Sequence, residues 1–234
     1  MMNPIIVALD VSTAAEALDL ARRLAPHVGA MKIGSELFTS AGPEIVRQTR
    51  ATGASVFLDL KFHDIPNTVA KAVAAATRLD IQMLTIHASG GAEMMKAAQT
   101  AATQTAQQIG QRAPLVLAVT VLTSMNGPAL EEVGQRPELV RQVERLGQLA
   151  VQAGLSGLVC SPQEIVPLRR LLPAHVQLVT PGIRSATEQT GDQKRTLSAR
   201  EAMDAGATWL VIGRPIVAAP DPCAAAQAIR DSLS

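Results

Sequence analysis

The chain is predicted to fold as an α/β protein, a closed (β/α)8 barrel of the TIM-barrel type, and three observations predict it. Short apolar runs alternate with longer amphipathic ones eight times along the sequence. The 234 residues suit one such barrel, a single domain over 1–234, and no repeat, low-complexity tract or linker interrupts it. Hydrophobic residues make up 47% and aromatic residues 2%, so the interior must be layered from Ala, Leu, Ile, Val and Met rather than from stacked rings.

Taken in order, Ile5–Leu9 is an apolar strand closed by Asp10, and Thr13 and Glu16 have capping-box spacing for a helix over Ala14–Leu24. Val28–Ile33 is the second strand, with Lys32 near its end and Gly34 after it, and Pro43 introduces a helix to about Arg50. The third strand is Val56–Leu60, followed by an Ala-rich helix from Ile65 to Arg78. Ile81–His87 is the fourth, followed by the turn Ser89–Gly91 and a helix over Ala92–Gln107. Pro114–Thr120 is the fifth. The loop Val121–Pro128 carries hydroxyls and an amide, short helix and turn fill the chain to Pro137, and Glu138–Ala153 is a longer helix. Leu158–Cys160 is the sixth strand, and Ser161, Pro162 and Glu164 form a helix start: cap, first-turn proline and acid. Val176–Thr180 is the seventh. The polar segment Pro181–Arg195 is longer than a usual βα connection and reads as a mobile lid. A helix over Leu197–Ala205, a strand over Trp209–Ile212, Gly213–Pro215 and a helix from Asp221 and Pro222 complete eight strands, each with a following helix.

Composition excludes several classes of function. A net charge of +1 provides no basic field, and no tract interleaves aromatics with Lys and Arg, so neither nucleic acid nor an anionic membrane is an expected partner. The two cysteines, Cys160 and Cys223, lie in apolar or small-residue surroundings and are expected to be buried thiols. The start lacks a basic n-region, Asp10 ends its apolar run early, and nothing approaches the roughly 20 apolar residues that span a bilayer, so the cytoplasm is the expected compartment. His27, His63, His87 and His175 lack ligand spacing and no Gly-x-Gly-x-x-Gly follows the first strand; neither a metal nor a dinucleotide is expected.

Chemistry concentrates in Phe57–Thr68. Alternation along the third strand sends Leu58 and Leu60 to one side and Phe57, Asp59 and Lys61 to the other, and a turn at Phe62 and His63 would bring Asp64 to the same space. Two carboxylates would then bracket one ammonium and offset its desolvation in a partly dry pocket. An ordinary strand-end ion pair fits the same residues. A Schiff-base role for Lys61 is disfavoured, because adjacent carboxylates stabilise its protonated form. Asp10, Lys32, Asp59, Lys61, Thr120 and Gly213 all fall at strand ends, which share one mouth in a barrel. Gly213 and Arg214 follow the eighth strand, the usual phosphate position, with Arg184 and Gln193 of the preceding long segment as further ligands.

Asp59–Thr68, with Ile6–Asp10, Lys32–Gly34, His87–Gly91, Val119–Ser124, Val159–Ser161, Thr180–Arg184, Gly191–Gln193 and Val211–Arg214, resembles the orotidine 5′-phosphate decarboxylase family, its bacterial branch most closely. The resemblance spans almost the whole chain. It implies a cofactor-free, metal-free homodimer of barrels converting orotidine 5′-phosphate to uridine 5′-phosphate and carbon dioxide. It further implies that Asp10 and Lys32 hold ribose hydroxyls, that Lys32, Asp59, Lys61 and Asp64 form the catalytic array with Lys61 as proton donor to C6, and that Asp64, Ile65 and Thr68 enter the neighbouring subunit's site. Thr123 and Ser124 would contact the pyrimidine, and Arg184, Gln193, Gly213 and Arg214 the phosphate. Two rivals stay open: a related barrel that uses Asp-x-Lys-x-x-Asp for a magnesium enediolate of a sugar phosphate, and a non-enzymatic nucleotide-binding protein.

Overall fold

The computed structural model describes residues 3–183 and 196–233. Eight parallel strands close a barrel in sequence order: β1 (Ile5–Ala8), β2 (Ala30–Gly34), β3 (Val56–Phe62), β4 (Met83–His87), β5 (Leu115–Val119), β6 (Gly157–Val159), β7 (Gln177–Thr180) and β8 (Trp209–Ile212). β1 pairs with both β2 and β8, which closes the ring and leaves no free sheet edge. The helices are α1 (Ala14–Leu24), α2 (Ser35–Ala41), α3 (Glu44–Ala51), α4 (Pro66–Thr77), α5 (Gly91–Gln108), α6 (Gly127–Glu132), α7 (Leu139–Gln152), α8 (Ile165–Leu171), α9 (Ala199–Asp204), α10 (Arg214–Val217) and α11 (Pro222–Asp231). No helix among the described residues is long and apolar enough to cross a membrane.

One helix per strand is therefore a simplification. Two helices follow β2, and α6 and α10 are short extra turns after β5 and β8. The expected second strand begins two residues late, because Val28 and Gly29 belong to the turn before Ala30. Gly29 passes under the N-terminal segment, where a Cβ would strike the Asn3 carbonyl and the Trp209 ring. Of the two cysteines expected to be buried, Cys160 is, whereas Cys223 is only half-buried on α11, its thiol on the Arg23 carbonyl.

Period-two alternation splits each strand between two cores. Ile6, Ala8, Ala30, Phe57, Met83, Leu117, Val179, Trp209 and Val211 fill the barrel, while Ile5, Val7, Leu58, Leu84 and Leu210 face the helices. Gly157 takes part by lacking a side chain, since a Cβ would run into Leu117. The one tryptophan brings a polar N–H inside and satisfies it on the Gln177 side-chain oxygen at 2.8 Å.

Two arginines clamp the loops at the N-terminal ends of the strands. Arg50 of α3 pairs with Asp80 in the α4–β4 turn at 2.6 Å. Arg169 of α8 donates to the Gly206 carbonyl at 2.8 Å, the Val176 carbonyl at 2.6 Å and the Thr208 hydroxyl at 2.9 Å, tying the entrances of β7 and β8 together. Replacing Arg169 with Met keeps much of the aliphatic stem and strands three acceptors. Arg169→Met is expected to cost about 2–4 kcal/mol, in the range for losing hydrogen bonds to a charged group. Urea unfolding should show this as a lower midpoint, with the secondary structure of the native state unchanged.

Candidate active site

The site is built on an irregularity in β3. Phe57 and Leu58 pair with Met83 and Leu84, but the next pair is Phe62 with Ile86, so β3 bulges between Leu58 and Phe62. Lys61 sits in that bulge with φ +51°. A left-handed backbone costs a residue with a Cβ about 1–2 kcal/mol, so neighbouring contacts must hold it. They do: the Lys61 N–H donates to the Thr85 hydroxyl on β4 at 2.9 Å, and the same hydroxyl lies 2.9 Å from Asp59 Oδ1. Lys61 Nζ reaches Asp59 Oδ1 at 2.9 Å. Asp59 Oδ2 faces Lys32 Nζ at 3.8 Å, and Lys32 Nζ pairs with Asp10 Oδ1 at 3.0 Å. Asp10, Lys32, Asp59 and Lys61 thus form a chain of alternating charge across the ends of β1, β2 and β3.

This chain makes one wall of a cleft of about 510 Å³ at the C-terminal end of the barrel. Ala8, Phe57, Val119, Val159 and Val211 make an apolar floor, and Thr123, Pro181, Gly182, Gly213 and Arg214 complete the rim. Gly34 leaves room for the Lys32 ammonium, and Gly213 borders Asp10 at ordinary contact distance. A Cβ on Gly34 would stand 3.2 Å from Lys32 Nζ, and one on Gly213 would stand 3.6 Å from Asp10 Oδ2. The arrangement places an apolar-floored space beside an ammonium that is paired with a carboxylate before any ligand arrives.

Several expected residues lie elsewhere. Asp64 does not bracket Lys61 within the chain: its carboxylate accepts from the Ile65 N–H at 2.6 Å, at the start of α4. The carboxylate that Lys61 meets is Asp59, whose Oδ1 also receives the Thr85 hydroxyl. Asp64, Ile65 and Thr68 are all exposed, Ile65 at 67%. Thr120 is buried, and its hydroxyl donates to the Val159 carbonyl at 3.3 Å rather than facing the cleft. Ser124 is exposed and outside the cleft lining, whereas Thr123 is part of it. Arg184 and Gln193, with most of the expected lid, lie outside the described residues; Ile183 and Leu197 on either side of them are joined by an isolated bridge. No group of three or more His, Cys, Asp or Glu among the described residues is placed to hold a metal ion. The sequence reading missed Thr85, a buried polar residue in an apolar strand, two positions before His87.

A closed parallel barrel whose strand ends gather lysines and carboxylates over an apolar floor is a barrel enzyme for a small anionic substrate. Comparison with known proteins narrows the class. The model of the orotidine 5′-phosphate decarboxylase / HUMPS family matches residues 3–229, and the chain belongs to that family. It is 50% identical over 228 residues to the orotidine 5′-phosphate decarboxylase of Moorella thermoacetica, covering 97% of this chain and 90% of that one. To the enzyme of that name from Opitutus terrae it is 52% identical over 233 residues, covering 100% of this chain and 99% of the relative. The crystal structure of orotidine 5′-phosphate decarboxylase from Lactobacillus acidophilus superposes with a TM-score of 0.88 at 36% identity, over 99% of both chains.

Beside Lys61, the His87 ring at the end of β4 lies 5.3 Å from that of His63, tilted by 41°. Burial, then the neighbouring His63, then Lys61 lower the His87 pKa below 6.5, while Asp59 acts in the opposite direction. The unfolded chain therefore binds this proton first. The stability associated with the neutral ring is present above about pH 6.5 and is lost as pH falls towards the lowered folded value. His87→Gln is expected to make the loss of stability between about pH 7 and about pH 5 shallower, read as urea midpoints of variant and parent at both values.

Proposed function

We propose that this chain decarboxylates orotidine 5′-phosphate to uridine 5′-phosphate and carbon dioxide, with Lys61 as the proton donor to C6. The observation that carries the reading is the Lys61–Asp59 pair, held at 2.9 Å beside the apolar floor of the cleft. Breaking the bond from C6 to the carboxylate leaves an electron pair in the plane of the ring, where conjugation with the ring carbonyls does not absorb it. Stabilisation has to come from a cation already in place beside C6. Lys61 supplies that cation and then its proton, forming the C6–H bond, and the neutral amine regains a proton from solvent. Asp59, next to the departing carboxylate in this reading, raises the bound ground state by repulsion.

The remaining assignments belong to the same proposal. Asp10 and Lys32 take the ribose hydroxyls, Thr123 and Ser124 the pyrimidine, and Gly213 and Arg214, with Arg184 and Gln193, the phosphate. Remote phosphate binding supplies energy that is used at C6. The enzyme works in the cytoplasm as a homodimer, and Asp64, Ile65 and Thr68 complete the neighbouring site. Their exposure supports this, Ile65 above all, since an isolated chain leaves it in water. The magnesium alternative needs Asp59 and Asp64 to face one ion. Asp59 Oδ1 is engaged by Lys61 and Thr85, and Asp64 folds onto its own backbone.

The deciding experiment is an assay in chelator-treated buffer that follows the loss of ultraviolet absorbance of orotidine 5′-phosphate. Turnover without added divalent metal is expected, and a strict metal requirement would favour the enediolate chemistry. Lys61→Ala should stay folded and bind product, yet lose nearly all decarboxylation and all enzyme-promoted exchange of the C6 hydrogen of uridine 5′-phosphate. Exchange near the parent rate in that variant would remove Lys61 as donor. Shared sites predict complementation: equal amounts of inactive Lys61→Ala and Asp64→Ala chains, once exchanged, should recover about a quarter of parent activity, because half the dimers are hybrids with one intact site each. No recovery after demonstrated subunit exchange would show that each chain works alone.

A further inference from the structure

The β4 hydroxyl between Asp59 and Lys61 has no part in the chemistry above, and its geometry goes further than packing. Thr85 is fully buried on β4, one residue past the last regular pair, Leu58 with Leu84. Its Oγ1 lies 2.9 Å from the Lys61 backbone nitrogen and 2.9 Å from Asp59 Oδ1. A hydroxyl carries one proton and two lone pairs. The Lys61 amide can only donate, so a lone pair of Thr85 receives it; an ionised Asp59 can only accept, so the Thr85 proton goes there. Both roles are fixed by the chemistry of the partners. Lys61 Nζ ends on the same Asp59 oxygen, which closes a ring: Lys61 amide, Thr85 hydroxyl, Asp59 carboxylate, Lys61 ammonium.

We propose that Thr85 is a positioning residue for the decarboxylation, its hydroxyl locking the Lys61 backbone and the Asp59 carboxylate into one geometry; the inference rests on the function proposed above. The bulge is what makes such a residue necessary. Regular alternation would point the Lys61 N–H towards β2; the bulge turns it to β4, where it meets the Thr85 hydroxyl and no strand carbonyl, and φ +51° is not a conformation that lysine holds unaided. Without the hydroxyl, the amide is left in a buried place with no acceptor, and Asp59 loses one of the donors that fix its plane. Both ends of Lys61 are then free to shift, and small displacements at a reacting centre reduce rate more than affinity.

Valine matches threonine in shape and lacks the hydroxyl; serine keeps the hydroxyl and lacks the methyl. Thr85→Val is expected to lower kcat for orotidine 5′-phosphate at least about thirtyfold, while affinity for uridine 5′-phosphate stays within about threefold. Thr85→Ser should remain within about threefold of the parent in kcat. Hydrogen exchange of the peptide containing Lys61 should be faster in Thr85→Val than in the parent or Thr85→Ser. If the valine variant does not fold, Thr85→Ala takes its place in the comparison with serine. A folded Val or Ala variant with parental kcat would overturn the inference, and so would a serine variant as impaired as valine, since the methyl would then be what matters. A parent chain inert towards orotidine 5′-phosphate would bring down the function and this inference together. An active parent with an unimpaired valine variant would bring down the inference alone.

Discussion

Asp59 is the group on which the geometry of the cleft depends. One of its oxygens receives Lys61 Nζ and the Thr85 hydroxyl, and the other faces Lys32, which is itself anchored on Asp10. Desolvating any one of these charges alone would be costly, and set in alternation each has an opposite neighbour that offsets the loss of water. The pattern also fixes direction. Each side chain is drawn towards its neighbours along the rim, so the apolar floor beneath stays clear for a flat ring. Removing the Asp59 charge would leave Lys32 and Lys61 as like charges with nothing between them, which is why this carboxylate outweighs any single cation beside it.

The two ends of the barrel divide the work. At the entrance of the strands, Arg50 and Arg169 direct donors to backbone carbonyls, a threonine and one carboxylate, ties that hold loops together. At the exit, Lys32 and Lys61 pair with carboxylates among the described residues. Arginine suits the first task because its planar fork ties several loops at once; lysine suits the second because a compact ammonium can approach a carbon atom and give up a proton. The layers of aliphatic side chains between them separate stability from chemistry, so charge placement at one end is little constrained by loop closure at the other.

Much of this was readable from the sequence, for reasons that vary by element. Strands buried on both faces announce themselves as apolar runs, and β8 has the expected boundaries for that reason. The helix α2 was missed because Ser35–Ala41 is two turns long and buries only Leu37, too little to set up a period. Asp59 and Lys61 were correctly placed at one cleft, although Lys61 reaches it through the bulge and not by regular alternation. Asp64 was not, because the bulge and the local bond to Ile65 N–H depend on backbone geometry that residue type does not encode. Thr85 escaped for a related reason: threonine is an ordinary strand former, and its role exists only because a neighbouring strand departs from regular pairing.

The left-handed backbone of Lys61 has a consequence for how this position behaves over time. Glycine adopts that conformation without strain, and asparagine does so more easily than lysine. For the fold alone, then, position 61 favours residues that carry no charge and do no chemistry. A population of chains relieved of selection for turnover would drift towards them and gain stability by doing so. The lysine is kept against the preference of its own backbone, which makes the bulge a place where the demands of catalysis and of folding are in open opposition.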